Sequence, residues 1–360
     1  MIYLDNNSST RIAPEVQDAV AAFEATSVDE GVAIDNARRS VARWLGAAGD
    51  AEIAFTADGI ESIRRAFLTV LDIESGRGEV ISTVAENEDI RKLFHTLEGE
   101  GVRVTRLGLD EKGAIDLDAL TAQLNKRTAI VSIPHANAET GTVFQINRIA
   151  SIIKENSSAQ VHIDGSAAAG KIPLDLSNAA IDLYFLSGQL IHGPEGIGSL
   201  YLRNGSLTRN QHLSDAPCVQ KIVGLGAAAD LARDLSPMKD VSALRNLLES
   251  EILEKIPNSQ LNGDRINRLP NTSNISFENT NGEAIAARLI EAGIFVSTAT
   301  ACGSADHKAS PILESMNVPY SYAMGSIGFS LSRYSTEPDI REVLRVLPNV
   351  IAELRKIAGG

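Results

Sequence analysis

Only two cysteines, Cys218 and Cys302, occur in 360 residues. They lie far apart and in unlike contexts, so no structural disulfide is expected in a reducing compartment. The six histidines are scattered, and no Cys/His group has the spacing of a metal site. No apolar run approaches the roughly 18 residues that cross a bilayer. The start, Met1-Ile2-Tyr3-Leu4-Asp5, lacks a basic stretch followed by an apolar one, which argues against a secretory leader. Cations are in deficit: 33 Lys and Arg against 46 Asp and Glu give a formal charge of −13. Nonspecific nucleic-acid binding needs cations to neutralise phosphates, so nucleic acid is not an expected partner. A cytoplasmic protein is the expectation.

The length suits a two-domain protomer, and the composition is that of an ordinary globular protein. Strands and helices alternate through most of the chain. Strands are predicted at Glu52–Thr56, Glu79–Thr83, Arg103–Leu107, Ala129–Ile133, Gln160–Ile163 and Ile181–Leu186. Helices are predicted at Glu61–Leu71, Glu88–Glu100, Leu117–Leu124 and Ile146–Glu155. Such alternation implies βαβ units and a mainly parallel sheet covered on both faces. Ligands of such sheets sit beyond the carboxyl ends of strands. The loops after Thr56, Thr83, Ile133, Ile163 and Leu186 are therefore the places to look. From about Val241 the pattern becomes that of a smaller α+β unit, ending in a long helix, Glu337–Ile357. Residues 204–216 read as a polar loop.

At these loops the chain resembles the NifS/IscS-type cysteine desulfurases of the class V aminotransferase family. Tyr3-Leu4-Asp5-Asn6-Asn7-Ser8-Ser9-Thr10 is similar to the family's YLDNNATT. Phe55-Thr56-Ala57-Asp58-Gly59-Ile60-Glu61-Ser62 parallels FTSGGTES, and His135-Ala136-Asn137-Ala138-Glu139-Thr140-Gly141 parallels HxNNExG. His162-Ile163-Asp164-Gly165-Ser166-Ala167 parallels HVDATQ. Ser187-Gly188-Gln189-Leu190-Ile191-His192-Gly193-Pro194 parallels SGHKxxGP, and Ser297–Cys302 parallels SSGSAC. The resemblance implies an α/β protein of the fold-type I pyridoxal-phosphate (PLP) transferase fold. Its large domain, with a mainly parallel mixed sheet, is expected at 13–235. A small α+β domain is expected from 1–12 with 236–360. A dimer with sites near the subunit interface is implied as well.

The family's chemistry needs a lysine that anchors PLP, a ring that acts as electron sink, and a loop cysteine whose thiolate takes the sulfur. The lysine position is Leu190, which has no amine. Ser187-Gly188 before it and Gly193-Pro194 after it fix the register without a gap. In the phosphate cradle, the family's serine, glycine and threonine become Ala57, Asp58 and Ile60. Hydroxyl donors are lost there, and a carboxylate is added that opposes a phosphate dianion. Asp58 also reads as a helix N-cap. The cradle's contribution from the neighbouring subunit, a GT pair, reads Asp215-Ala216. The stacking histidine is Asn87, the glutamine is Ala167, and the histidine before the lysine is Gln189. The arginine that suits a substrate carboxylate is Gly328; Arg333 remains, on the opposite face of the predicted strand Ser326–Leu331.

Three remnants match cofactor contacts: Asp164 for the ring nitrogen, Asn137 for the ring hydroxyl and Ser187 for the phosphate. Asp164 and Asn137 read equally as local loop caps. Cys302 stands at the persulfide position in a loop of small residues, and an inert inherited thiol is the other reading. Cys218, ahead of an apolar stretch, reads as structural. The expectation is a desulfurase-like protein without cofactor or desulfurase activity. It would act in sulfur transfer or iron–sulfur cluster assembly as a partner subunit, a regulator or a persulfide acceptor through Cys302. The dimer is either a homodimer or a pairing with an active paralogue, and an iron–sulfur scaffold or sulfur acceptor is the further partner. Two alternatives stand: an active desulfurase holding PLP non-covalently, and an unrelated thiol activity in the vacated cleft.

Overall fold

In a computed structural model, residues 1–57, 59–73, 78–203, 217–298 and 309–358 are described. Asp58, the 204–216 stretch with Ala216, and Cys302 lie outside them. Twelve strands are present among the described residues. They are β1 (Ile2–Leu4), β2 (Ile53–Thr56), β3 (Glu79–Thr83), β4 (Arg103–Leu107), β5 (Thr128–Pro134) and β6 (Gln160–Asp164). There follow β7 (Leu183–Ser187), β8 (Gly198–Leu202), β9 (Ser259–Asn262), β10 (Thr272–Phe277), β11 (Ile294–Thr298) and β12 (Ser326–Ser330).

Seven strands form one sheet in the order β2-β8-β7-β6-β5-β3-β4. Strands β7, β6, β5, β3 and β4 run parallel, and β8 lies antiparallel between β2 and β7. The inner parallel strands β5 and β7 are mainly apolar because both faces are covered, whereas the edge strand β4 exposes its arginines. Along β7, Leu183 and Phe185 enter one apolar cluster while Tyr184 and Leu186 enter the other, the two-residue period of a strand. The first cluster is closed by helices Gly59–Ile73 and Glu88–Gly99, the second by Glu30–Leu45, Ile146–Asn156 and Val219–Ala232. Burying each large side chain of this kind contributes roughly 1.5–3 kcal/mol. Packing here is tight at Gly59, where an added Cβ would lie 2.3 Å from Phe185 Cζ. A Gly59→Ala change must therefore displace that ring.

The other five strands form a second sheet, β1-β11-β12-β10-β9, antiparallel except where β1 runs alongside β11. Its apolar cluster joins Leu4 to residues of helices Met238–Lys255, Gly282–Glu291 and Glu337–Ala358. The C-terminal segment differs from expectation at one point. Strand β12 stops at Ser330, so Arg333 sits in the turn beyond it. Its guanidinium donates to the carbonyls of Leu231 (2.9 Å) and Asp234 (3.3 Å), tying that turn to the end of helix Val219–Ala232. No described helix is long and apolar enough to cross a membrane.

Candidate active site

The carboxyl ends of β3, β5, β6 and β7 converge on a cavity of about 230 Å³. Asn87, Asn137, Asp164, Ala167 and Leu190 all line it. Ala57, Ile60, Ser187, Gln189 and Gly328 do not.

Asp164 ends β6 and is buried. Its carboxylate accepts from Asn87 Nδ2 at 2.7 Å and from the Ser166 backbone N–H at 3.0 Å. Burial raises its pKa, against the pull of those bonds. Asn87 has a second task. It is the N-cap of helix Glu88–Gly99, and its Oδ1 accepts from Ile90 N–H at 2.9 Å. One amide thus satisfies an orphan donor of the helix and secures the carboxylate at the cavity floor. Asn137 is engaged locally: Nδ2 donates to the Ala85 carbonyl (3.1 Å), and Oδ1 accepts from the backbone of Glu139 (3.0 Å) and Thr140 (2.8 Å). For both Asp164 and Asn137, the loop-cap role is realised in these bonds.

Leu190 closes the short 3-10 turn Gly188–Leu190 that follows β7. Ser187 precedes the turn, and its side chain makes no capping bond. The Gln189 carbonyl accepts from both the N–H and the hydroxyl of Thr10, which pins the turn to the N-terminal segment. Lys171 is the lysine that approaches Leu190, and it does so from behind. Its Nζ donates to the Leu190 carbonyl at 3.4 Å, while a different cavity holds its side chain. Ala167 packs with Ala136, Ala168 and Leu269. In the cradle, Ile60 packs onto the apolar cluster around Phe67, so the lost hydroxyl has become core. Gly328, between Asn274 of β10 and Ser297 of β11, lines a neighbouring cavity of about 160 Å³ that shares Asn7, Ala138 and Glu139 with the first. Cys218 is exposed at the start of helix Val219–Ala232, not packed as a structural residue.

Three site residues escaped the sequence reading. Glu86 is fully buried, and burial with the nearby Asp164 pushes its pKa up to about 8. Ser132 Oγ donates to Glu86 Oε1 at 2.7 Å and lies 2.9 Å from His162 Nδ1. His162, pushed down to about 3 by burial, is therefore neutral. Glu139 receives the Ser310 hydroxyl at 2.8 Å and is pushed up to about 7 by burial. Arg91 lines the cavity one helical turn beyond Asn87, and its charge lowers both glutamates slightly. Atoms Arg91 Nη1, Glu86 Oε2 and Glu139 Oε1 are buried without a hydrogen-bond partner. Acidic residues beside two motif asparagines were the available signal.

The class-V aminotransferase family model matches residues 2–216 and 211–343. The chain is 40% identical to a cysteine desulfurase of Gluconacetobacter diazotrophicus, covering 99% of this chain and 95% of that one. It is 38% identical to the cysteine desulfurase NifS of Azotobacter vinelandii, over 99% and 94%. Among solved structures, a NifS-like protein superposes with a TM-score of 0.89 at 28% identity, covering 98% of this chain and 100% of that one. The NifS-like protein of Rickettsia africae gives 0.85 at 26%, over 98% and 99%.

These matches correct the expectation of a cofactor-free protein. End-to-end similarity to desulfurases, a PLP-using family, points to PLP for this pocket. The donor set fits the ring half of that group. Asp164 is a buried carboxylate at the position that faces a ring nitrogen, and the cavity retains unpartnered polar atoms. Leu190, which has no amine, stands at the position that the family resemblance gives to the lysine. The chain belongs to the class-V aminotransferase family and, within it, to the cysteine desulfurases.

Proposed function

We propose that this chain is a sulfur-transfer protein that holds PLP by non-covalent contacts and has lost desulfurase turnover. The carrying observation is Leu190, whose side chain lines the cavity while the neighbouring lysine, Lys171, spends its amine on Leu190's carbonyl from the other side. When bound, PLP supplies an electron sink for a substrate amine. The chain's own groups do the rest. Asp164 offers a carboxylate to the ring nitrogen, and Asn87 holds that carboxylate in place. Glu86 keeps its proton at neutral pH, so the cavity floor carries less negative charge than its sequence suggests. Gly328 presents no cation to a substrate carboxylate, which removes a second requirement of turnover.

In this reading the protein serves iron–sulfur cluster assembly in the cytoplasm as a partner subunit, a regulator, or an acceptor of persulfide on Cys302. It forms a dimer with itself or with a lysine-bearing paralogue. Two domains, 13–235 and 1–12 with 236–360, are supported by the separate apolar clusters of the two sheets. The test is alanine release from L-cysteine by purified protein loaded with PLP, beside a lysine-bearing relative. Background release is expected; release at the relative's rate refutes the reading. Retention of Asp164 and the polar cavity favours a second reading, slow turnover with non-covalent PLP, which the same assay detects as PLP-dependent release above background.

A further inference from the structure

Behind Leu190 lies a second, smaller cavity of about 30 Å³. On this scale a water needs roughly 10–15 Å³, so there is room for one small ion or molecule. Leu190 lines both cavities and forms the wall between them. Three basic side chains, Lys171, His192 and Arg333, face the smaller one, and no carboxylate is among the described residues that line it.

Lys171 is only 8% exposed. Among the described residues its ammonium makes one hydrogen bond, the long 3.4 Å contact to the Leu190 carbonyl. Burial pushes its pKa down to about 8, with no opposing carboxylate. A buried ammonium without a counter-charge costs several kcal/mol, and such groups are normally paired. The neighbours do not relieve it. Arg333 is turned to backbone carbonyls and to the exposed Asp234. His192 has its Nδ1 on the Arg11 carbonyl, and its pKa is lowered by burial and then by Lys171 and Arg333. Ser332 accepts from Tyr334 N–H, which leaves its hydroxyl proton to donate. The Lys171 ammonium and a spare hydroxyl donor thus border a void with no carboxylate among its described lining residues.

We propose that this cavity is a binding site for one small monovalent anion, of halide or formate size, held by the Lys171 ammonium and separated from the cofactor cavity by Leu190. The anion completes the charge that the lysine lacks. It also couples the two cavities, because the same ammonium carries the Leu190 carbonyl.

The test uses the whole protein with sodium bromide and sodium formate as separate probes. Crystals soaked in bromide should show one anomalous peak beside Lys171 Nζ. Calorimetry at constant ionic strength should show affinity for bromide or formate falling about thirty-fold between pH 6.5 and 9.5, as an ammonium with a pKa near 8 is lost. Lys171→Met should abolish binding and Lys171→Arg should retain it. If Lys171→Met does not fold, the pH dependence of the wild-type protein decides. No peak at Lys171, no binding of either probe, or affinity independent of pH overturns the proposal.

Discussion

Replacing Asn87 with alanine removes two bonds made by one amide. The first is the cap on helix Glu88–Gly99, Oδ1 to Ile90 N–H at 2.9 Å. Losing a cap of this type costs about 1 kcal/mol. The second is the 2.7 Å bond from Nδ2 to the buried Asp164 carboxylate. Hydrogen bonds to charged groups contribute about 1.5–3 kcal/mol. Asn87→Ala is therefore expected to lower unfolding free energy by about 2.5–4 kcal/mol. Asn87→Ser, which keeps a capping oxygen but cannot reach Asp164, should lose about 1 kcal/mol less. Urea unfolding of both variants measures these differences. A cycle combining Asn87→Ala with Asp164→Ala isolates the bond between them. Its coupling energy should be about 1.5–3 kcal/mol. Coupling below about 0.5 kcal/mol, the usual limit of additivity, would show that Asn87 does not hold the carboxylate.

Leu190→Lys is expected to bring an amine into the cavity, so that borohydride fixes PLP to residue 190; reversible PLP binding without fixation would count against the placement of this side chain. Glu86, pushed up to about 8, retains a proton that the unfolded chain releases above its usual 4.5. Stability should therefore fall by about 1.4 kcal/mol per pH unit between these values. His135 and His162, pushed down to about 4 and about 3, oppose that slope only below 6.5, and Glu139, pushed up to about 7, adds to it below that value, so the window that isolates Glu86 is about pH 7–8. There Glu86→Gln should flatten the decline seen by urea unfolding, and an unchanged slope would refute the assignment. Gly328→Arg should fold, because a Cβ there meets Ser297 Cβ at an ordinary 3.4 Å. Its charge should tighten binding of L-alanine roughly ten-fold or more, as hydrogen bonds to charged groups do, and calorimetry checks this.

Much of the sheet could be read from residue pattern. Strands β3 and β4 fall on the predicted residues, each a five-residue stretch enriched in Val, Ile, Thr or Leu. Helix Glu30–Leu45 was missed. Its cap, Asp29, accepts from Val32 N–H at 3.1 Å, a bond that residue pattern alone does not display. Strand β8 hid because its antiparallel entry between β2 and β7 follows no βαβ rhythm. At the site, the family resemblance located Leu190, Asp164 and Asn137. It did not foresee that Asn87 would grip Asp164, since that bond joins residues 77 positions apart. Nor did it flag Glu86 and Lys171, whose significance comes from burial.

The central claim is that no lysine among the described residues lines the cofactor cavity. Intact-mass measurement after incubation with PLP and borohydride tests it most directly. The unchanged mass of the unmodified chain is expected, alongside PLP that binds and dialyses away. A single stoichiometric pyridoxyl adduct, mapped to Lys171 or to any other lysine in the folded protein, would contradict the account.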